Sequence, residues 1–146
     1  SFPTRRSSDL ETFFSILEVL GVTPEQFFSQ QPLEQKIVYN EEESTLYYDE
    51  EHGYELKWLI PASNEKEMEP VIITFDKNGE YKTFEPSLSE TFIYVIDGSI
   101  RLILGEATYI AKKGQTMYYQ ATEPHQISNN GRGKSRALIV ATESYL

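Results

Sequence analysis

The sequence predicts a mostly β protein, a sandwich or barrel of ten short strands led by two short helices. Three observations carry that expectation. From Lys36 onward apolar residues recur with period two, in short segments rich in Ile, Val, Tyr, Phe and Thr. Turn signals separate these segments at short intervals, the spacing of an antiparallel sandwich or barrel. Before residue 30 the apolar period is instead that of a helix.

The first helix is read from Leu10, Phe13, Phe14, Leu17 and Leu20, an i, i+3, i+4, i+7 stripe, with Gly21 placed to end it. Thr23-Pro24-Glu25-Gln26 then reads as an N-cap, a proline at the first helical position and a capping-box glutamine. Val22 and Phe27 fit the hydrophobic staple around that cap, so Thr23–Ser29 opens a second, short helix. Two such helices cannot form a core alone; their stripes need partners.

Gln30–Gln35 (QQPLEQ) is a polar connector, with the linker placed at 31–35. Strands are expected at Lys36–Tyr39, Thr45–Tyr48, Tyr54–Ile60, Pro70–Phe75, Thr91–Ile96, Ser99–Leu104, Ala107–Ile110, Thr116–Tyr119, His125–Ile127 and Arg136–Ala141. Asp97-Gly98 between two of them reads as a two-residue hairpin turn. Lys77-Asn78-Gly79 and Asn129-Asn130-Gly131 mark further turns. The acidic segment Glu41–Glu55 lacks the ligand ladder and loop glycine of an EF-hand, and reads as a solvated hairpin.

Composition narrows the function. The chain has 146 residues, 23 acidic and 13 basic, for a formal charge of −10. That length suits about one domain with a substantial core. A strongly acidic chain opposes nucleic acid and anionic lipid through its overall field. No apolar run reaches the ~18 residues of a membrane-spanning helix, and a cytoplasmic location is expected. Absence of Cys removes thiolate metal sites and a thiol nucleophile. His52 and His125 are the only histidines, which caps imidazole ligation at two.

Ser1–Leu10 (SFPTRRSSDL) differs abruptly in composition from the residues after it, and Phe2–Leu10 resembles the in-frame translation of a sequencing adapter. The expectation is a non-native segment over 1–10, with native sequence upstream of residue 11 lost.

From Glu69 onward the chain resembles the cupin family. TFIYVIDGSIRLILG and AKKGQTMYYQATEPHQISNNG are similar to its two conserved segments. Gly114, Pro124, His125 and Asn129 fall on the second segment's glycine, proline, histidine and asparagine, and Gly98 on the closing glycine of the first. ETFFSILEVLGVTPEQFF resembles the last helices of Xre/Cro-type helix-turn-helix domains. The resemblance implies a cupin jelly-roll barrel over 36–146, preceded over 11–30 by the remnant of a DNA-binding domain. It implies a bacterial transcriptional regulator that contacts DNA through missing N-terminal residues. The barrel is then a non-enzymatic effector sensor and a homodimer, without a membrane partner.

Metal-binding cupins place two histidines and a glutamate in the first segment and a histidine in the second. Here the glutamate position falls on Thr91 and the histidine positions fall near Glu85 and Ser87, so His125 is the one ligand of that set retained. One imidazole does not make the set of about three protein ligands that a catalytic metal needs, so no metal, cofactor or catalytic residue is expected. The alternatives are a cupin metalloenzyme, an isomerase or oxygenase, and a stand-alone small-molecule-binding cupin. The pocket candidates are His125, Thr91, Tyr94, Tyr118 and Phe92, with Tyr119 beside them. Aromatic core is the competing role for the rings, because small barrels fill themselves with side chains. Arg132, Lys134 and Arg136 read as a solvated basic loop rather than an anion site.

Overall fold

The computed structural model describes residues 35–143 and 146. In the first of two compact units, Ser1–Val38, the described residues 35–38 have no regular secondary structure. The second unit, Tyr39–Leu146, holds ten strands. These are β1 (Thr45–Asp49), β2 (Tyr54–Trp58), β3 (Met68–Phe75), β4 (Glu80–Phe84), β5 (Glu90–Asp97), β6 (Ser99–Leu104), β7 (Ala107–Lys112), β8 (Thr116–Gln120), β9 (His125–Asn129) and β10 (Ser135–Thr142). The helices expected over Leu10–Leu20 and Thr23–Ser29, and the segment 1–10, lie outside the described residues.

Two antiparallel sheets face each other, in the orders β1-β2-β3-β10-β5-β8 and β4-β9-β6-β7. After β3 the chain crosses from one sheet to the other at every connection except the β6–β7 hairpin, which makes a jelly roll. Period two explains the core. β3 and β10 bury every second residue, Val71, Ile73 and Phe75 on one and Ala137, Ile139 and Ala141 on the other, all at 0% exposure. Ile100, Leu102, Tyr81, Phe84 and Ile127 close the core from the four-stranded sheet.

The acidic segment forms the β1–β2 hairpin, preceded by a short 3-10 turn at Glu41–Glu43. Glu41 pairs with Lys57, and Asp49 accepts from the His52 backbone N–H at 3.0 Å to close the turn. The Asp76–Gly79 turn forms as expected, with Asn78 at φ 61° and the Gly79 N–H donating to the Asp76 carbonyl at 2.9 Å.

Three expectations are corrected. Lys36–Tyr39 is not a strand: Ile37 and Val38 are 71% and 76% exposed, and no described strand pairs with the segment. Alternation alone does not make a strand without a partner to bury one face.

The second correction is β4, a strand that periodicity does not reveal. Its register against β9 shifts between Glu80 and Thr83. That bulge turns Tyr81 and Phe84, three residues apart, into the same core.

The third correction concerns Asp97-Gly98, which is no hairpin. β5 is flanked by β10 and β8, and β6 by β9 and β7, so the turn carries the chain from one sheet to the other. Gly98 has φ 77°, and a Cβ there would collide with Ser135 Oγ and approach the Lys134 carbonyl to 2.9 Å. The corner needs glycine for the same local reason a hairpin does, which is why the two read alike.

Candidate functional site

Two of the pocket candidates, Thr91 and His125, are buried inside the barrel. Thr91, near the start of β5, is fully buried and lies in register with Tyr119 on β8. His125, at the start of β9, is 1% exposed and pairs with Phe84 on one side and Leu104 on the other.

Aromatic rings fill the space around the imidazole. Phe84 stacks on His125 with centroids 5.0 Å apart and planes 24° apart, and Tyr119 meets it edge-on at 5.4 Å. Behind Phe84 the series continues through Tyr81 at 5.1 Å and Tyr54 at a further 5.0 Å, both edge-to-face. His125 Nδ1 lies 3.3 Å from the Glu123 carbonyl. Burial pushes the His125 pKa below the usual histidine value, so the ring is neutral near pH 7.

This corner does not fit a transition metal. Thr91 offers a hydroxyl and no carboxylate, and the nearby acidic Glu85 is exposed. Among the described residues no three His, Cys, Asp or Glu side chains are grouped to hold an ion.

The remaining pocket candidates point elsewhere. Phe92 and Tyr94 alternate with the buried Thr91, Ile93 and Val95, which puts them on the outer face of the six-stranded sheet. Tyr118, opposite Phe92 and 66% exposed, is also outward, and its hydroxyl donates to Glu90. Thr91 and His125 are both buried, with Tyr119 in register with the one and its ring against the other, while Phe92, Tyr94 and Tyr118 face outward.

Tyr118 does, however, stand at the rim of a cavity. A space of about 410 Å³ opens between β7 and β8, the edge strands of the two sheets. Leu102, Leu104, Tyr109, Met117 and Tyr119 line it, with Gln115 and Thr116 adding polar groups and no charged side chain. Tyr119 joins the two regions, lining the cavity and touching His125. Sequence reasoning missed Leu102, Leu104, Tyr109 and Met117; the available signal was alternation on β6, β7 and β8 in phase with the core. A second cavity of about 320 Å³ lies beside Trp58 and the buried Glu69.

Asn129 has a structural place. Its amide donates to the Asp76 and Gly133 carbonyls at 2.8 and 2.7 Å. Its oxygen accepts from Gly131 N–H at 2.7 Å and Ser135 Oγ at 2.8 Å, so one buried side chain fastens two loops.

No curated protein sequence matches the chain. Residues 72–141 match the family model for the cupin domain. Among solved structures, an HTH_3 family transcriptional regulator from Vibrio cholerae aligns at 16% identity and TM-score 0.58, over 90% of this chain and 70% of that one. The Cupin_2 domain of an XRE family transcriptional regulator from Enterobacter cloacae aligns at 13% identity and TM-score 0.55, over 62% of this chain and 96% of its own. The Cnp3 cupin domain of Schizosaccharomyces pombe aligns at 13% identity and TM-score 0.59, over 74% of each chain. At these identities the likeness shows the cupin fold. Among the described residues no helix is long and apolar enough to cross a membrane.

Proposed function

We propose that the barrel is the effector-binding and dimer-forming domain of a DNA-binding transcriptional regulator, and that it is not an enzyme. The observation that carries this reading is the interior itself. A single imidazole is packed between Phe84 and Tyr119, and beside it lies an uncharged cavity large enough for a small ligand. The cavity lining selects an uncharged, largely apolar molecule, since a charged one would lose its hydration without gaining a partner. Two structural neighbours carry regulator names, which favours this reading over a stand-alone binding module.

DNA contact is assigned to residues that precede the barrel. Phosphate neutralisation by Lys and Arg dominates duplex affinity, and a −10 chain supplies little of it. A gel shift at physiological salt tests the division. The product of the complete gene should bind its own upstream region selectively, and residues 36–146 alone should not. Selective binding by the barrel alone would overturn the division, and no binding by the complete product would overturn the regulator reading.

A further inference from the structure

We infer that two copies of the chain join through β7, antiparallel and centred on Tyr109, so that their four-stranded sheets become one continuous sheet and each copy walls the other's cavity mouth. This deepens the homodimer reading above and rests on it only in requiring a second copy.

β7 is the outer strand of its sheet and, among the described residues, pairs only with β6. Among the described residues its other edge pairs with no strand and is the template for another. Five of its six residues are exposed, and Tyr109 and Ile110, on opposite faces, are 52% and 51% exposed. No proline or bulge blunts the edge, and the register against β6 is unbroken from Ser99↔Lys112 to Leu104↔Ala107.

Charge and symmetry choose the occupant and the register. Glu106 precedes the strand, and Lys112 and Lys113 end it. Parallel pairing in register would set Glu106 against Glu106. Antiparallel pairing about a two-fold axis places one residue opposite itself. With Tyr109 on the axis, Glu106 of each copy faces Lys112 of the other, and the aromatic rings meet at the centre. With Ile110 on the axis Lys112 would face Thr108, and with Thr108 on the axis Glu106 would face Ile110, so neither alternative pairs the charges. Tyr109 also lines the 410 Å³ cavity, so the added strand runs along its rim.

The chain contains no cysteine, so a single introduced thiol reports proximity without ambiguity. The unsubstituted chain should sediment as a dimer at micromolar concentration. Tyr109→Cys should oxidise to a covalent dimer under mild oxidant, whereas Leu88→Cys, at a position 81% exposed, should not. Thr108→Cys and Ile110→Cys should cross-link when mixed and not alone. Glu106→Lys should raise the dimer dissociation constant roughly tenfold or more, and adding Lys112→Glu to the same chain should restore it. A chain that stays monomeric at every concentration overturns this interface and the homodimer reading together. A dimer without selective cross-linking at 109, or without rescue by the double charge swap, overturns this interface and leaves the homodimer reading standing.

Discussion

The ring of Phe84 lies 24° from parallel to the His125 imidazole, with centroids 5.0 Å apart. A histidine that served as a metal ligand would need its neighbouring positions to supply further donors. Here the strand beside it supplies an aromatic plane, and Tyr119 meets the imidazole edge-on. The arrangement makes His125 part of the packing, with a cavity adjoining it through Tyr119.

His125 should give the barrel an acid-sensitive stability. Burial lowers its folded-state pKa, so the unfolded chain binds the proton more tightly. The stabilisation is full above the ordinary histidine pKa of about 6.5 and is lost as pH falls below it toward the folded value. His52 acts in the opposite direction: its hydrogen bond to Asp49 raises its pKa, and its contribution fades as pH rises through that raised value. Because His52 is exposed, the His125 effect should dominate. Urea midpoints from pH 5 to 8 should fall on acidification, and His125→Phe should flatten that slope.

Gly98 and Gly114 both have positive φ, at 77° and 86°, but differ in what surrounds them. A Cβ at Gly114 meets nothing within 4 Å, whereas at Gly98 it meets Ser135 and Lys134. Gly114→Ala should cost about 1 kcal/mol of backbone strain, and Gly98→Ala about 2–4 kcal/mol because the clash adds to it. Equilibrium urea denaturation of the two variants side by side checks the difference.

Asn129→Asp places a second carboxylate oxygen where an amide now donates to two carbonyls. It should destabilise the barrel by about 3 kcal/mol, because the Asp76 and Gly133 carbonyls lose their donor and face a carboxylate oxygen instead, while Gly131 N–H and Ser135 Oγ still donate to the other oxygen. Hydrogen exchange should rise first in the Asp76–Gly79 turn and the 130–134 loop that the side chain fastens.

Much of the barrel was legible because each strand buries one face. Where that condition held, as in β3, β5, β6 and β10, period two located the strand and its inward residues. It failed for β4, whose bulge makes Tyr81 and Phe84 face the same way across three residues. It also failed for Lys36–Tyr39, which pairs with no strand among the described residues and leaves Ile37 and Val38 exposed. The Asp97-Gly98 signal correctly marked a tight turn, but the requirement for positive φ says nothing about whether the next strand returns to the same sheet.

The candidate site was legible in part. Thr91 and His125 came from segment spacing, and both face the interior. Phe92 and Tyr94 read as pocket residues because they are aromatic and flank the same strand positions, yet strand alternation sends them outward. Phe84 stayed hidden with its strand. The cavity lining of Leu102, Leu104, Tyr109 and Met117 looked like ordinary core, because only the separation of the β7 and β8 edges distinguishes a lined space from a filled one.

Metal content is the most direct test of whether this interior is a ligand space rather than a metal centre. Purified protein would be exposed separately to excess manganese, iron, nickel and zinc, dialysed, and measured by elemental analysis. One imidazole packed against aromatic rings should retain far less than one ion per chain for every metal. Retention of about one ion per chain, abolished by His125→Ala, would contradict it and restore the metalloenzyme reading.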